Sequence, residues 1–280
     1  MTIAALTFVI FLGSLVAGFL GALTGLGGGV VIVPLLTLGF GTDIRYAIGA
    51  SLVSVIATSS GAAAAYVREG YSNIRIGMFL EIATCMGALG GAFLASVLST
   101  KVIGAVFGVM LLYSAYVSRN PRVESLGDAQ PPDRLTKLLK MDGSYPTPEG
   151  PVFYRVQRVP QGFGLMTIAG VLSGLLGIGS GALKVIAMDQ AMGLPFKVST
   201  TTSNFMIGVT AAASVGFYLR SGYIDPTLAM PVVLGVAGGA FLGARLLQRI
   251  AVPLARRIFA VLIVALGIEM IYQAFTGRIA

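Results

Sequence analysis

The chain is poor in charge and has no histidine. Of its 280 residues only 11% are Asp, Glu, Lys or Arg, while 56% are hydrophobic; an average soluble domain is about 25% charged. A soluble enzyme of this size must hydrate its whole surface, so the deficit excludes one, and the apolar content excludes a disordered chain. Without histidine there is no His-based catalysis or metal site. The lone Cys85 makes neither a disulfide scaffold nor a CxxC pair. The glycine clusters lack the Lys-Ser/Thr pair of a P-loop, which argues against ATP-driven pumping within the chain. No cofactor is expected. What is abundant is glycine, 38 residues without a collagen-like period. Set in long apolar stretches, it points to a polytopic membrane protein with closely packed helices. The net charge of +8 is then a matter of membrane sidedness, with the lipid bilayer and not nucleic acid as partner.

Charge is concentrated. Residues 119–160 hold twelve of the thirty charged residues and seven of the twelve prolines. They form a polar linker between a first transmembrane repeat, 1–118, and a second, 161–280. Within it, Leu135 to Lys140 reads as solvated loop, with a short amphipathic turn on the membrane surface as the alternative. A spanning helix needs roughly 20 apolar residues. Candidates are 3–24, 46–67, 77–98, 102–118, 161–176, 198–219, 227–248 and 255–275. Shorter stretches at 30–40 and 182–193 each follow a glycine cluster and read as broken helices. The first apolar run lacks a basic flank and passes straight into a glycine cluster, so it is read as a span and not as a signal peptide.

The halves repeat. An ungapped offset of 152 places Gly18 on Gly170, Leu23 on Leu175, Gly41 on Gly193 and Ser51 on Ser203. Gly25, Gly27 and Gly29 fall on Gly177, Gly179 and Gly181, and Tyr66-Val-Arg-Glu-Gly-Tyr71 on Tyr218-Leu-Arg-Ser-Gly-Tyr223. If the short stretches cross, 14 basic residues lie on one side and 4 on the other, with Lys184 between; if they do not, the split is 11 to 7. The positive-inside rule selects five crossings per half, with both termini outside and the linker in the cytoplasm. The fold expected is an all-α polytopic membrane protein of two inverted five-segment repeats, the arrangement behind alternating access.

Three features carry candidate chemistry. Gly25, Gly27, Gly28 and Gly29, and their counterparts Gly177, Gly179, Ser180 and Gly181, each open a short helix, where uncovered N–H groups and the helix dipole can hold an anion. Gly87, Gly90, Gly91, Gly238, Gly239 and Gly243 are read instead as helix-packing positions. Second, Thr202, Ser203 and Asn204, with Ser51 in the first half, offer donors without full charge, although such hydroxyls also bond back to their own helix. Third, ionisable residues at membrane depth are functional candidates. Lys184, where the first half has Ile32, can balance an anion or pair with a carboxylate; Glu81 and Asp189 are candidates for proton coupling. The Tyr and Arg of the YxRxGY motif, Tyr66 and Arg68 with Tyr218 and Arg220, read as interfacial belt residues, with a gate as the alternative.

The run Gly18-x-x-Gly-x-x-x-Gly-x-Gly-Gly-Gly, then Val33-Pro34 and Gly49-Ala50-Ser51-Leu52, resembles the sulfite exporter TauE/SafE family, as do the duplicated halves. The resemblance implies a bacterial or archaeal cytoplasmic-membrane transporter of sulfur-containing anions such as sulfite, thiosulfate, sulfoacetate or related organosulfonates. The second half departs from the pattern, with Ile186 for Pro34, Lys184 for Ile32 and Thr202 for Ala50, so the site is asymmetric. A passive anion channel is the alternative reading. An intramembrane enzyme lacks a nucleophile–base or metal set. Assembly with further copies of the chain, as a homo-oligomer, is left open.

Overall fold

The computed structural model describes residues 3–24, 28–68, 72–119, 134–139, 141–147, 150–246 and 252–277. The first half comprises α1 (Ile3–Thr24), the short α2 (Gly29–Pro34), α3 (Ile44–Arg68), α4 (Ile74–Val97) and α5 (Thr100–Arg119). The linker carries α6 (Arg134–Leu138) and a hairpin of β1 (Gly143–Thr147) and β2 (Gly150–Tyr154). The second half comprises α7 (Val159–Leu176), the short α8 (Gly181–Ile186), α9 (Phe196–Arg220), α10 (Pro226–Leu246) and α11 (Val252–Thr276). Both short helices run on into a π-helical turn, Leu35–Gly39 and Ala187–Ala191. The two turns lie 152 residues apart, and each is followed by a left-handed glycine, Gly41 or Gly193. Pro34 has Ile186 as its counterpart, so proline is not what sets the π turn.

The distribution of side chains is that of a protein in lipid. The segments 74–97, 159–176 and 226–243 are long and apolar enough to cross a membrane. On α4, Met78, Ile82, Met86, Phe93 and Val97 face outward, while Ile76, Leu80, Ala83, Gly87, Gly91 and Ala95 are buried. Water does not tolerate so long an apolar stripe, and hydrocarbon does. The interior, by contrast, holds hydroxyls: Ser14, Ser51, Ser54, Thr84, Ser173, Thr201, Thr202, Ser203, Thr210 and Ser214 are all buried.

Glycines allow the long helices to meet at backbone distance. A methyl group at Gly87 would stand 2.2 Å from the Thr167 carbonyl oxygen, and one at Gly91 would stand 2.0 Å from that of Val171. A methyl group at Gly239, the counterpart of Gly87, would stand 2.0 Å from the Leu15 carbonyl oxygen. Thus α4 packs on α7 as α10 packs on α1, each helix meeting a partner from the other half. Gly90 and Gly238 have nothing within 4 Å of such a methyl. The packing role expected for them does not hold; they lie outside the helix crossings.

The same contacts set the chain directions. Residues 11 and 14 lie by Gly235 and residues 15 and 19 by Gly239, so α1 and α10 run parallel; α4 and α7 likewise. Gly77 meets Thr202 and Phe205 while Thr210 meets Glu81, so α4 also runs parallel to α9. Gly49 meets Tyr223 while Gly208 meets Ser59, so α3 and α9 are antiparallel. Hence α7 and α9 point the same way, and residues 177–195 between them bring the chain back to its starting end.

The linker is more than a solvated loop. Met141, Tyr154 and Val156 are buried with Ile76, Leu80, Met188, Met192 and Val198. The alternation in the hairpin explains this: Tyr145 pairs with Val152 on the inner face and Ser144 with Phe153 on the outer. The Asn73 side-chain amide donates to the Met141 carbonyl at 3.1 Å and to the Tyr154 hydroxyl at 2.8 Å, tying the hairpin to the start of α4. Burial holds the Tyr154 phenol above its ordinary pKa, and the Asn73 bond opposes that rise. In α6, Thr136 is buried and donates to the Val156 carbonyl at 3.0 Å, while Leu138 is exposed.

Tyr218 is not a belt residue. It is 1% exposed and its hydroxyl donates to the Gly174 carbonyl at 2.9 Å. The residue at the helix boundary is Arg45, which donates to the carbonyls of Ala95 at 3.0 Å and Leu98 at 2.8 Å, at the C-terminal end of α4, where a cation is favoured by the helix dipole. Its guanidinium also lies over the Tyr223 ring, 5.6 Å from the centroid.

Candidate functional site

The second glycine cluster is built on left-handed backbone. Gly177, Gly179 and Ser180 have φ of 68°, 71° and 45°. Two glycines make that chain reversal accessible at low cost, and Ser180, a residue with a Cβ, is drawn into the same region. The Ser180 hydroxyl is buried and has no hydrogen-bond partner among the described residues. Of the first cluster, Gly28 and Gly29 are described and Gly25 and Gly27 are not. Gly28 accepts from the N–H groups of Val31 and Ile32 at the head of α2.

Ser51 brings the two clusters together. Its hydroxyl donates to the Gly177 carbonyl at 2.8 Å, with the Gly29 carbonyl at 3.4 Å. A methyl on Gly29 would stand 2.8 Å from the Ser51 oxygen and 3.2 Å from the Gly177 carbonyl oxygen. In the second half Ser203 donates to the Gly181 carbonyl at 3.2 Å. Ser51–Gly29 and Ser203–Gly181 are equivalent under the 152-residue offset. Both hydroxyl hydrogens are therefore given to the backbone carbonyls that shape the clusters. Thr202 lies elsewhere: its hydroxyl accepts from the Asn73 N–H at 3.0 Å, at the start of α4. Asn204 is partly exposed, and its amide has no hydrogen bond among the described residues.

The ionisable residues form a buried chain across the halves. Lys184, on α8, is 0% exposed. Its ammonium donates to the Thr210 hydroxyl of α9 at 2.5 Å. That hydroxyl lies 2.6 Å from Glu81 Oε1 on α4 and 2.9 Å from the Met206 carbonyl. The Cys85 thiol, one turn from Glu81, donates to the same Oε1 at 3.4 Å. Glu81 Oε2 is buried without a hydrogen-bond partner among the described residues. A buried charge persists only where a counter-charge and hydrogen bonds offset its desolvation, and Thr210 brings the Lys184 nitrogen and the Glu81 carboxyl to one hydroxyl. Asp189 lies on the π turn beyond α8 and is partly exposed.

Thr210 is the residue that sequence reasoning missed. Its counterpart in the repeat is also a threonine, Thr58, which donates to its own helix at Ser54 and Val55. The clue available was the set Glu81, Thr84 and Cys85, which puts three polar groups on one face of a buried helix.

The architecture is that of a multi-pass helical membrane protein with a polar interior. A family model described as sulfite exporter TauE/SafE matches residues 10–270. The chain belongs to that family, which is one of membrane transporters. It is similar to the probable membrane transporter protein YunE of Bacillus subtilis, 27% identical over 267 residues covering 92% of this chain and 95% of YunE. A probable membrane transporter protein of Xylella fastidiosa is 26% identical over the whole of both chains. YdhB of Bacillus subtilis, also named a probable membrane transporter, is 28% identical over 85% of this chain and 87% of its own. No solved structure matches.

Proposed function

We propose that the protein is a secondary transporter of a small sulfur-containing anion: sulfite, thiosulfate, sulfoacetate or a related organosulfonate. The observation that carries this reading is the convergence of both glycine clusters on Ser51, beside a second cluster whose Ser180 hydroxyl is buried and unpartnered. The anion's oxygens are held by N–H groups of the clusters at Gly25 to Gly29 and Gly177 to Gly181, by Ser180 and by Asn204. Ser51 and Ser203 brace the clusters and turn to the anion when it binds, and Lys184 supplies charge. Thr202 contributes by fixing the start of α4.

Each half crosses the membrane five times, and the halves are inverted with respect to each other. The antiparallel α3 and α9, the parallel pairs of α1 with α10 and α4 with α7, and the return of the chain over 177–195 support this. Rocking of one half against the other about the clusters gives alternating access. The basic majority places the linker in the cytoplasm and both termini outside.

Two measurements test the reading. Purified protein is screened for binding of sulfite, thiosulfate, sulfoacetate, sulfate and plain carboxylates; binding confined to carboxylates would overturn the substrate class. In liposomes, accumulation of the bound anion against its gradient identifies a transporter. Flux that only ever runs downhill identifies a channel.

A further inference from the structure

The Lys184–Thr210–Glu81 chain carries an inference that rests on the anion reading and deepens it. We infer that anion binding takes up one proton onto Glu81, so that the anion and a proton cross together, one for one and in the same direction.

The argument is one of charge. With Lys184 as ammonium and Glu81 as carboxylate, the buried pair is neutral. Bringing an anionic headgroup beside it leaves one uncompensated negative charge in a medium of low dielectric, the costliest arrangement for a buried group. A proton from solution restores neutrality. Bonded to Glu81, it removes the carboxylate's claim on Lys184, and the ammonium's charge becomes available to the anion. On release the proton leaves Glu81 for water and the pair re-forms through Thr210.

The geometry provides for both steps. Among the described residues Lys184 makes one hydrogen bond, to Thr210, leaving two N–H groups for an incoming oxygen. Glu81 Oε2 is buried and has no partner among the described residues, a place for the proton. Thr210 accepts from Lys184 and reaches Glu81 Oε1, so the carboxylate and the ammonium respond to each other without touching. The pair also spans the halves, Glu81 on α4 and Lys184 on α8, which is where a rocking motion acts.

Few other charges intrude. On its own helix Glu81 has Cys85 at hydrogen-bond distance and Arg75 at the far start of α4. The packed helix α7 carries no titratable residue, and α9 carries Lys197, Tyr218 and Arg220 toward its ends. Asp189 lies five residues beyond Lys184 on the π turn.

The test is calorimetric binding in detergent, in buffers of different ionisation enthalpy. Thiosulfate, sulfoacetate and methanesulfonate serve as probes, since none of them titrates near neutral pH. The expected uptake approaches one proton per anion, with affinity falling about tenfold per pH unit where uptake is complete. In Glu81→Gln the uptake drops to zero, binding persists and its pH dependence flattens. Wild-type uptake near zero, or proton release, overturns the inference while leaving the anion reading intact. If the wild type binds no sulfur oxyanion at all, the anion reading fails and this inference with it. Should Glu81→Gln fail to fold, methanesulfonate flux in liposomes decides. Under a fixed pH gradient it is insensitive to membrane voltage if one proton accompanies each anion, and voltage-dependent if none does.

Discussion

The two halves share a backbone plan and differ where it matters chemically. Ile32 and Lys184 occupy equivalent positions on the short helices, and both are 0% exposed. Thr58 and Thr210 are equivalent on the following helices, and Glu81 on α4 has Val233 as its counterpart on α10. One junction between the halves is therefore apolar and the other holds a buried lysine and glutamate bridged by a hydroxyl. The common parts, namely the glycine crossings, the π turns and the Ser51 and Ser203 braces, keep the two junctions alike in shape. The lesson is that duplication supplies a common frame, and ionisable side chains have been placed at one side of it.

That comparison can be broken at several points. The largest effect is expected from unpairing the charges. Lys184→Met or Glu81→Leu alone should cost about 3–5 kcal/mol by leaving a buried charge uncompensated. The double variant, apolar like the Ile32 junction, should recover most of that loss in thermal unfolding. A double variant no more stable than the singles would show that the pair is not coupled. Next come the crossings: Gly87→Ala and Gly239→Ala should each destabilise by about 1–3 kcal/mol, because the methyl meets a carbonyl oxygen. Gly90→Ala, on an open helix face, should be neutral or stabilise by up to about 1 kcal/mol. Unequal losses at Gly87 and Gly239 would mean that the crossings are not equivalent. Of the braces, Ser51→Ala should cost about 1–2 kcal/mol and Ser203→Ala less, since only Ser51 links the two halves through a short bond. Tyr218→Phe, which loses one hydrogen bond to Gly174, should cost about 1 kcal/mol.

Much of the frame was legible in the sequence. Apolar length located the long helices to within a few residues, because lipid imposes both a length and a composition. The 152-residue register anticipated two matching short helices and the Gly87 and Gly239 contacts, since equivalent glycines meet equivalent backbones; it gave no sign of the π turns. What was not legible depends on contacts between distant segments. Glu81 had no charged partner in its repeat, and its partner Lys184 lies on the other half behind Thr210. Tyr218 looked interfacial by residue type and is buried because the Gly174 carbonyl receives its hydroxyl. The linker looked solvated by composition, yet alternate residues of its hairpin seal against the starts of α4 and α9. Gly90 and Gly238 were indistinguishable by type from the glycines at the crossings; only the helix faces separate them.

The most direct test is anion accumulation in liposomes under a pH gradient at clamped voltage, comparing the wild type with the Lys184→Met, Glu81→Leu double variant. The wild type is expected to drive the anion uphill. The double variant is expected to unfold near the wild-type temperature and to accumulate nothing. A folded double variant that accumulates anion as the wild type does would contradict the claim that the ionic junction between the halves drives transport.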